Sequence, residues 1–255
     1  MNFVIDRKKF TLILCLGLIA VIAICVIIPL SMKAAAVFNE NKKIPVYRVD
    51  INEKKVALTV NAAWDDEDLD DFLKIFEKNN VKVTFFVVGD FIKSHENALV
   101  RINSAGHEIG SHSDTHPDMT KLTANEIEKE LRNCEEKIFK VTGKAVKLFR
   151  APSGAYNNAV IETAENLGYT AVQWDVDTID WKGKTADEMV NIVKKKLQNG
   201  SIILTHLGAE NTKEALPKII KTIKDAGYEI VPVSELVYPL NESYTDHSGV
   251  QHKLT

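Results

Sequence analysis

Cysteine is scarce: there are three in 255 residues, and two of them, Cys15 and Cys25, lie inside an apolar run. Cys134 is left alone, which excludes a small secreted fold stapled by disulfides. A surplus of positive charge is also missing. Lys and Arg number 32 against 35 Asp and Glu, a formal net charge of −3. That balance argues against a dedicated nucleic-acid binder, which would need a basic stripe to neutralise phosphates, so a nucleic-acid partner is not expected. Nor is there the bias of a fibrous or disordered chain, because 45% hydrophobic and 26% charged residues are close to globular averages.

Charge is absent altogether from Phe10 to Leu30, a run dominated by Leu, Ile, Val and Ala. Its 21 residues reach roughly 30 Å at about 1.5 Å each, the thickness of a hydrocarbon core. Arg7, Lys8 and Lys9 precede it and only Lys33 follows closely, so the positive-inside tendency keeps residues 1–9 cytoplasmic. Residues 10–30 then form a single-pass membrane anchor, and the chain beyond it is extracytoplasmic. The competing reading is a cleaved signal peptide, since Ala34-Ala35-Ala36 offers small residues for a peptidase. On either reading the remainder works outside the cytoplasm, at the cell membrane or secreted. It divides into a linker with an edge strand near Val46–Ile51 (31–53), a folded domain (54–238) and a loose polar tail (239–255).

Within the domain, apolar β-branched runs alternate with helical patterns. Strands are expected at Val56–Val60, Val81–Val88, His107–Ser111, Val146–Phe149, Thr170–Trp174, Ser201–Thr205 and Glu229–Val233. One helix is expected to run from the second strand to about Ser104. Thr123 with Glu126 forms a capping-box pattern for another that Gly143 ends, and Gly168, Gly200 and Gly227 close later helices. Strand–helix alternation of this kind predicts parallel βαβ units, and the fold class is an α/β, incomplete seven-stranded β/α barrel.

In such a barrel, side chains at the C-terminal strand ends converge on one rim. Those ends carry Asn61 with Asp65 and Asp66, then His112 and His116, Arg150, Asp175 with Asp177 and Asp180, and His206. His112 and His116, four apart, suit two ligands of one divalent metal, although the spacing equally suits a pair of loop histidines. His206 after an apolar strand is either an idle rim residue or a general acid paired to Asp180 or Asp177. Arg150 before Pro152-Ser153-Gly154 is either a surface charge or one that orients a rim carboxylate. Trp181 is core or a pocket wall.

These residues resemble the polysaccharide deacetylases with a NodB-homology domain (carbohydrate esterase family four). His112-Ser113-x-x-His116, Arg150-x-Pro152-x-Gly154, Asp177-x-x-Asp180-Trp181 and Leu204-x-His206 match four of that family's motifs in order, across about residues 54–238. Within the family the chain is similar to the membrane-anchored, sporulation-associated peptidoglycan deacetylases. The resemblance implies metal-dependent hydrolysis of N-acetyl groups from an extracytoplasmic polysaccharide such as cell-wall or spore-cortex peptidoglycan, releasing acetate.

It also implies roles for particular residues. His112 and His116 would hold a divalent ion, zinc with cobalt, nickel or iron as alternatives. The Ser153 N–H would stabilise the oxyanion, His206 held by Asp180 would act as acid, and Trp181 and Leu204 would line the acetyl slot. The first motif departs from the family's Thr-Phe-Asp-Asp-Gly: Asn61 stands where the base is expected and Ala62 where a metal ligand is expected. An amide has no useful basicity near neutral pH, so Asp65 becomes the expected substitute base or third ligand, with Asp66 as the fallback. The same departure leaves Arg150 without its usual carboxylate. It also raises a second expectation, a catalytically impaired wall protein that binds glycan without turning it over. A third reading is an esterase acting on O-acetyl groups.

Overall fold

The structure, a computed structural model, describes residues 42–254. The apolar run at 10–30 lies outside them; among the described residues no helix is long and apolar enough to cross a membrane.

The first long strand shows why the chain curls as it does. In β2 (Lys55–Ala62), Val56, Leu58, Val60 and Ala62 join the large apolar cluster that also holds the helix residues, while Ala57 joins a second, smaller cluster. Successive strand side chains point to opposite faces, so Thr59 and Asn61 share the face of Ala57. With β1 at Arg48–Val49, the remaining strands are β3 (Thr84–Val87), β4 (Glu108–Ser111), β5 (Leu148–Phe149), β6 (Thr170–Ala171), β7 (Val176–Asp177), β8 (Ile202–His206), β9 (Glu229–Ile230), β10 (Ser243–Thr245) and β11 (Val250–Lys253). The main sheet runs β6-β5-β4-β3-β2-β8-β7, all parallel. Among the described residues the two end strands, β6 and β7, are not paired to each other, so the curled sheet is a half-barrel.

Helices supply the outer layer: α1 (Leu69–Lys78), α2 (Gly89–Ser94), α3 (Glu96–Ser104), α4 (Ala124–Thr142), α5 (Asn158–Asn166), α6 (Ala186–Lys196), α7 (Thr212–Asp225) and α8 (Val233–Leu236). The capping box expected at Thr123 and Glu126 is present, and Gly143 closes α4 at φ 68°, a conformation that glycine adopts without a Cβ clash. Thr185 and Glu188 form a second capping box on α6.

Three sequence expectations change. The seventh strand of the sheet is β7, not the segment at Glu229, which pairs with β2 only at Lys55 and Val56 and lies off the main path. The single helix expected before Ser104 is two, broken at His95, whose backbone (φ −134°, ψ 49°) is not helical. The tail is not loose: β10 pairs antiparallel with β11, and β11 pairs in parallel with β1.

His252 fastens that tail. Its Nδ1 lies 2.9 Å from Asp50 Oδ2 and its Nε2 3.1 Å from Asp246 Oδ2. A carboxylate only accepts, so both contacts are hydrogen bonds only when both ring nitrogens carry protons. Bonding to Asp246, reinforced by Asp50, raises the His252 pKa above its ordinary 6.5. A raised folded-state pKa gives stability that is complete below the unfolded value and is lost as pH rises through the folded one. The melting temperature of wild type should therefore exceed that of His252→Ala at pH 5.5, by about 2–4 °C for about 1 kcal/mol at an exposed pair. The gap should shrink on moving to pH 9, and a pH-independent gap would show that the latch does not titrate.

Candidate active site

The C-terminal ends of β2, β4, β5 and β8 enclose a cavity of about 220 Å³ lined by Asn61, His112, His116, Ser153 and His206, with Leu204 and Asp177 at its sides. The three tryptophans of the chain, Trp64, Trp174 and Trp181, all line it. Of the five described non-glycine residues with positive φ, four lie on the loops around it: Ser113 (67°), His116 (58°), Ser153 (53°) and Ile179 (59°). Left-handed backbone at such residues costs about 1–3 kcal/mol each, and it clusters where a loop must present its groups in one geometry.

Arg150 is the buried hub. It is fully buried, with Cζ 4.0 Å from the centroid of the Phe86 ring and 5.4 Å from that of Trp174. One terminal nitrogen donates to Thr59 Oγ1 and to Asn61 Oδ1, both at 2.9 Å, and the other donates to the Gln173 carbonyl at 3.1 Å. Its Nε has no partner, and none of these acceptors is a carboxylate. Burial pushes the guanidinium down to about 9, so it is still charged at neutral pH.

The hydrogen-bond directions around it are forced. Arg150 can only donate, so Asn61 turns its oxygen to Arg150 and its Nδ2 to His112 Nε2 at 3.2 Å. His112 Nδ1 sits 2.8 Å from the Arg150 carbonyl oxygen, which can only accept. The ring proton is therefore on Nδ1, and the Nε2 lone pair accepts from the Asn61 amide. Burial, with His116 nearby, lowers the His112 pKa well below 6.5 and keeps the ring neutral. Burial also lowers that of His116, aided by His206. The two rings meet edge to face with centroids 4.9 Å apart. Their loop is pinned by Glu130 of α4, which accepts from the Asp114 and Thr115 amides and the Thr115 hydroxyl, each at 2.8 Å.

His206, register partner of Asn61 at the end of β8, lines the same cavity. Asp180 is buried and accepts from His206 N–H (2.6 Å), His206 Nδ1 (2.8 Å), Thr212 Oγ1 (2.8 Å) and Trp181 N–H (2.9 Å). Asp180, not Asp177, is thus the partner; Asp177 caps the Ile179 amide. Asp175 lies elsewhere, bonded to Ser201, Ile202 and Gln198. Trp64 stacks on His206, with centroids 5.3 Å apart and planes 19° apart.

The substitute carboxylates expected on the first loop are not brought to the rim. Asp65 is absent from the cavity lining and lies against Gly208, where an added Cβ would meet Asp65 Oδ2 at 2.9 Å. Its other oxygen accepts from the Glu67 amide. Asp66 faces His95 and Arg101, at 3.8 and 3.7 Å. Ala62 packs into the apolar layer behind the sheet. Among the described residues no three imidazole, thiolate or carboxylate groups come together around a metal position. A resident zinc takes three or four protein ligands. Here two imidazoles remain, and one has its lone pair engaged by Asn61. To free it the amide would have to turn over, which would aim Nδ2 at the Arg150 donor. The donor set does not fit the divalent ion that the resemblance implies.

Thr59, the Gln173 carbonyl, Phe86, Glu130 and Trp64 were not legible as site residues. Each is an ordinary strand, helix or loop residue whose part depends on what folds against it.

The model of the polysaccharide deacetylase family matches residues 48–172. The chain is similar to the uncharacterized protein YlxY of Bacillus subtilis (strain 168), 38% identical over 193 residues, which span 76% of this chain and 60% of that protein. It is also similar to the peptidoglycan-N-acetylmuramic acid deacetylase PdaA of the same strain, 34% identical over 200 residues, with 75% and 74% of the two chains covered. Among solved structures, wild-type BA3943 from Bacillus anthracis, a CE4 family pseudoenzyme, shares 37% identity at a TM-score of 0.73, covering 75% of this chain and 68% of that one. A mutant of BA3943 has restored enzymatic activity. A half-barrel rim that keeps the histidine, arginine and Asp180–His206 loops in place, and a peptidoglycan deacetylase that aligns along three quarters of its own length, lead to one conclusion: this chain belongs to the polysaccharide deacetylase family.

Proposed function

We propose that the domain binds an N-acetylated cell-wall glycan, peptidoglycan, outside the cytoplasm, and that its hydrolytic step is impaired. The observation that carries this reading is the Asn61 amide donating to His112 Nε2 at 3.2 Å. The amide takes the lone pair a metal ion would need, and it cannot accept a proton from water. Peptidoglycan deacetylases among the relatives support the glycan, and the pseudoenzyme among the similar structures supports the impairment. The apolar run 10–30 behind Arg7, Lys8 and Lys9 supports an anchored, extracytoplasmic place.

A second reading, a working deacetylase, is favoured by one feature. His206 and Asp180 form a complete acid pair, the Nδ1 proton held by a buried carboxylate and Nε2 left for substrate. A single experiment separates the two. Full-length protein in detergent is incubated with peptidoglycan sacculi and with N-acetylglucosamine oligomers, with added zinc or cobalt. Co-sedimentation with sacculi and no acetate above the protein-free blank is expected. Acetate release by wild type at many turnovers per hour would establish the hydrolase instead.

A further inference from the structure

We infer that Trp64 is a stacking platform for a pyranose ring of the bound glycan; this rests on the glycan-binding reading above. The indole follows β2 directly and is 51% exposed although it lines the cavity. One of its faces is backed by the His206 ring, and His206 is itself held by two bonds to buried Asp180. The turn that carries Trp64 is also fixed. Asp65 accepts from the Glu67 amide and lies against Gly208, a position at φ 80° where a side chain would collide with that carboxylate.

A rigid aromatic ring with an open face is poised to bind an apolar surface at little cost in ordering. The C–H face of an acetamido-sugar is such a surface, and its hydroxyl and amide edge would meet the polar groups of the cavity. Trp181, half exposed, lines the same cavity, with one ring face covered by Lys182 Nζ at 4.5 Å.

Because the chain has only three tryptophans and all line this cavity, selectively excited tryptophan emission is a direct reporter of its occupancy. The test titrates full-length protein with the N-acetylglucosamine tetramer, following emission and, in parallel, heat. Wild type should show a blue shift that saturates together with the heat. Trp64→Ala should bind at least about tenfold more weakly, the loss expected of a central aromatic contact. Trp64→Phe, which keeps a ring, should stay within about threefold of wild type, and all three proteins should melt within a few degrees of each other. Wild-type affinity in Trp64→Ala would overturn the platform and leave the glycan reading standing. No binding by wild type in either readout would overturn both.

Discussion

The double variant Asn61→Asp/Ala62→Asp is expected to bind zinc and to release acetate from N-acetylated glycan, and wild type is expected to do neither. At position 61 a carboxylate can still accept from Arg150, giving the buried guanidinium the anionic partner it lacks, with Thr59 and the Gln173 carbonyl retained. The carboxylate has no proton to donate to His112 Nε2, so that lone pair is released. It also supplies the base that an amide cannot, a contribution of about 10²–10⁴ in rate for a positioned general base. At position 62 the effect should be conditional. Ala62 packs among the apolar residues behind β2, so an aspartate there is costly unless a cation draws it toward the imidazoles. Zinc should therefore stabilise the double variant and not wild type. At a concentration 100 times Kd the gain is about 2.7 kcal/mol, or roughly 5–10 °C in Tm for a domain of this size. Calorimetry of zinc binding, thermal melts with and without zinc, and acetate release read the three consequences separately. A double variant that melts identically with and without zinc would show that Asn61 and Ala62 are not what keeps the cation out.

Much of the fold and part of the rim were legible because they are written locally. Alternating β-branched runs, a capping box at Thr123 and Glu126, and closing glycines are properties of neighbouring residues. His112, His116, Arg150, Ser153, Asp180 and His206 each sit at or just beyond a strand end, where the parallel topology gathers them, and Leu204 lies two residues before the end of β8. What escaped is non-local. β7 is two residues long and exists only because β8 is beside it. The polar tail becomes strands because Val250 and Gln251 find Arg48 and Val49, about 200 residues earlier in the chain. Asn61 was legible as the loss of a base. Its second consequence, the capping of His112, required knowing that Arg150 dictates which end of the amide faces the ring. Asp65 was drawn toward the rim by chemistry alone, since it is a carboxylate near the vacant motif position. The turn geometry instead carries Trp64 into the cavity and Asp65 to Gly208.

Asp180→Ala should be the most destabilising single change at the rim, because this carboxylate holds two walls of the cavity at once. Four donors converge on it from three places: the amide and ring of His206 at the end of β8, the Thr212 hydroxyl at the start of α7, and the Trp181 amide next along the chain. Asp180 and Thr212 are both buried, so water cannot take over all of these bonds. Truncation orphans the donors, and breaking a buried charge-assisted network of this kind costs about 3–5 kcal/mol. For a domain of this size that corresponds to a fall of roughly 6–20 °C in Tm. Asp180→Asn keeps oxygen acceptance at one atom but turns its amide nitrogen toward the backbone N–H of His206 or of Trp181, so it should lose less than Asp180→Ala while remaining clearly destabilised. Glycan binding should follow the same order, since His206 is the backing of Trp64 and Asp180 is the backing of His206. The fluorescence titration should show weakened binding in Asp180→Asn, below that protein's melting range. If Asp180→Ala melted within a degree or two of wild type, the four short contacts would be geometry without energy, and the rim would owe its order to the strained loops instead.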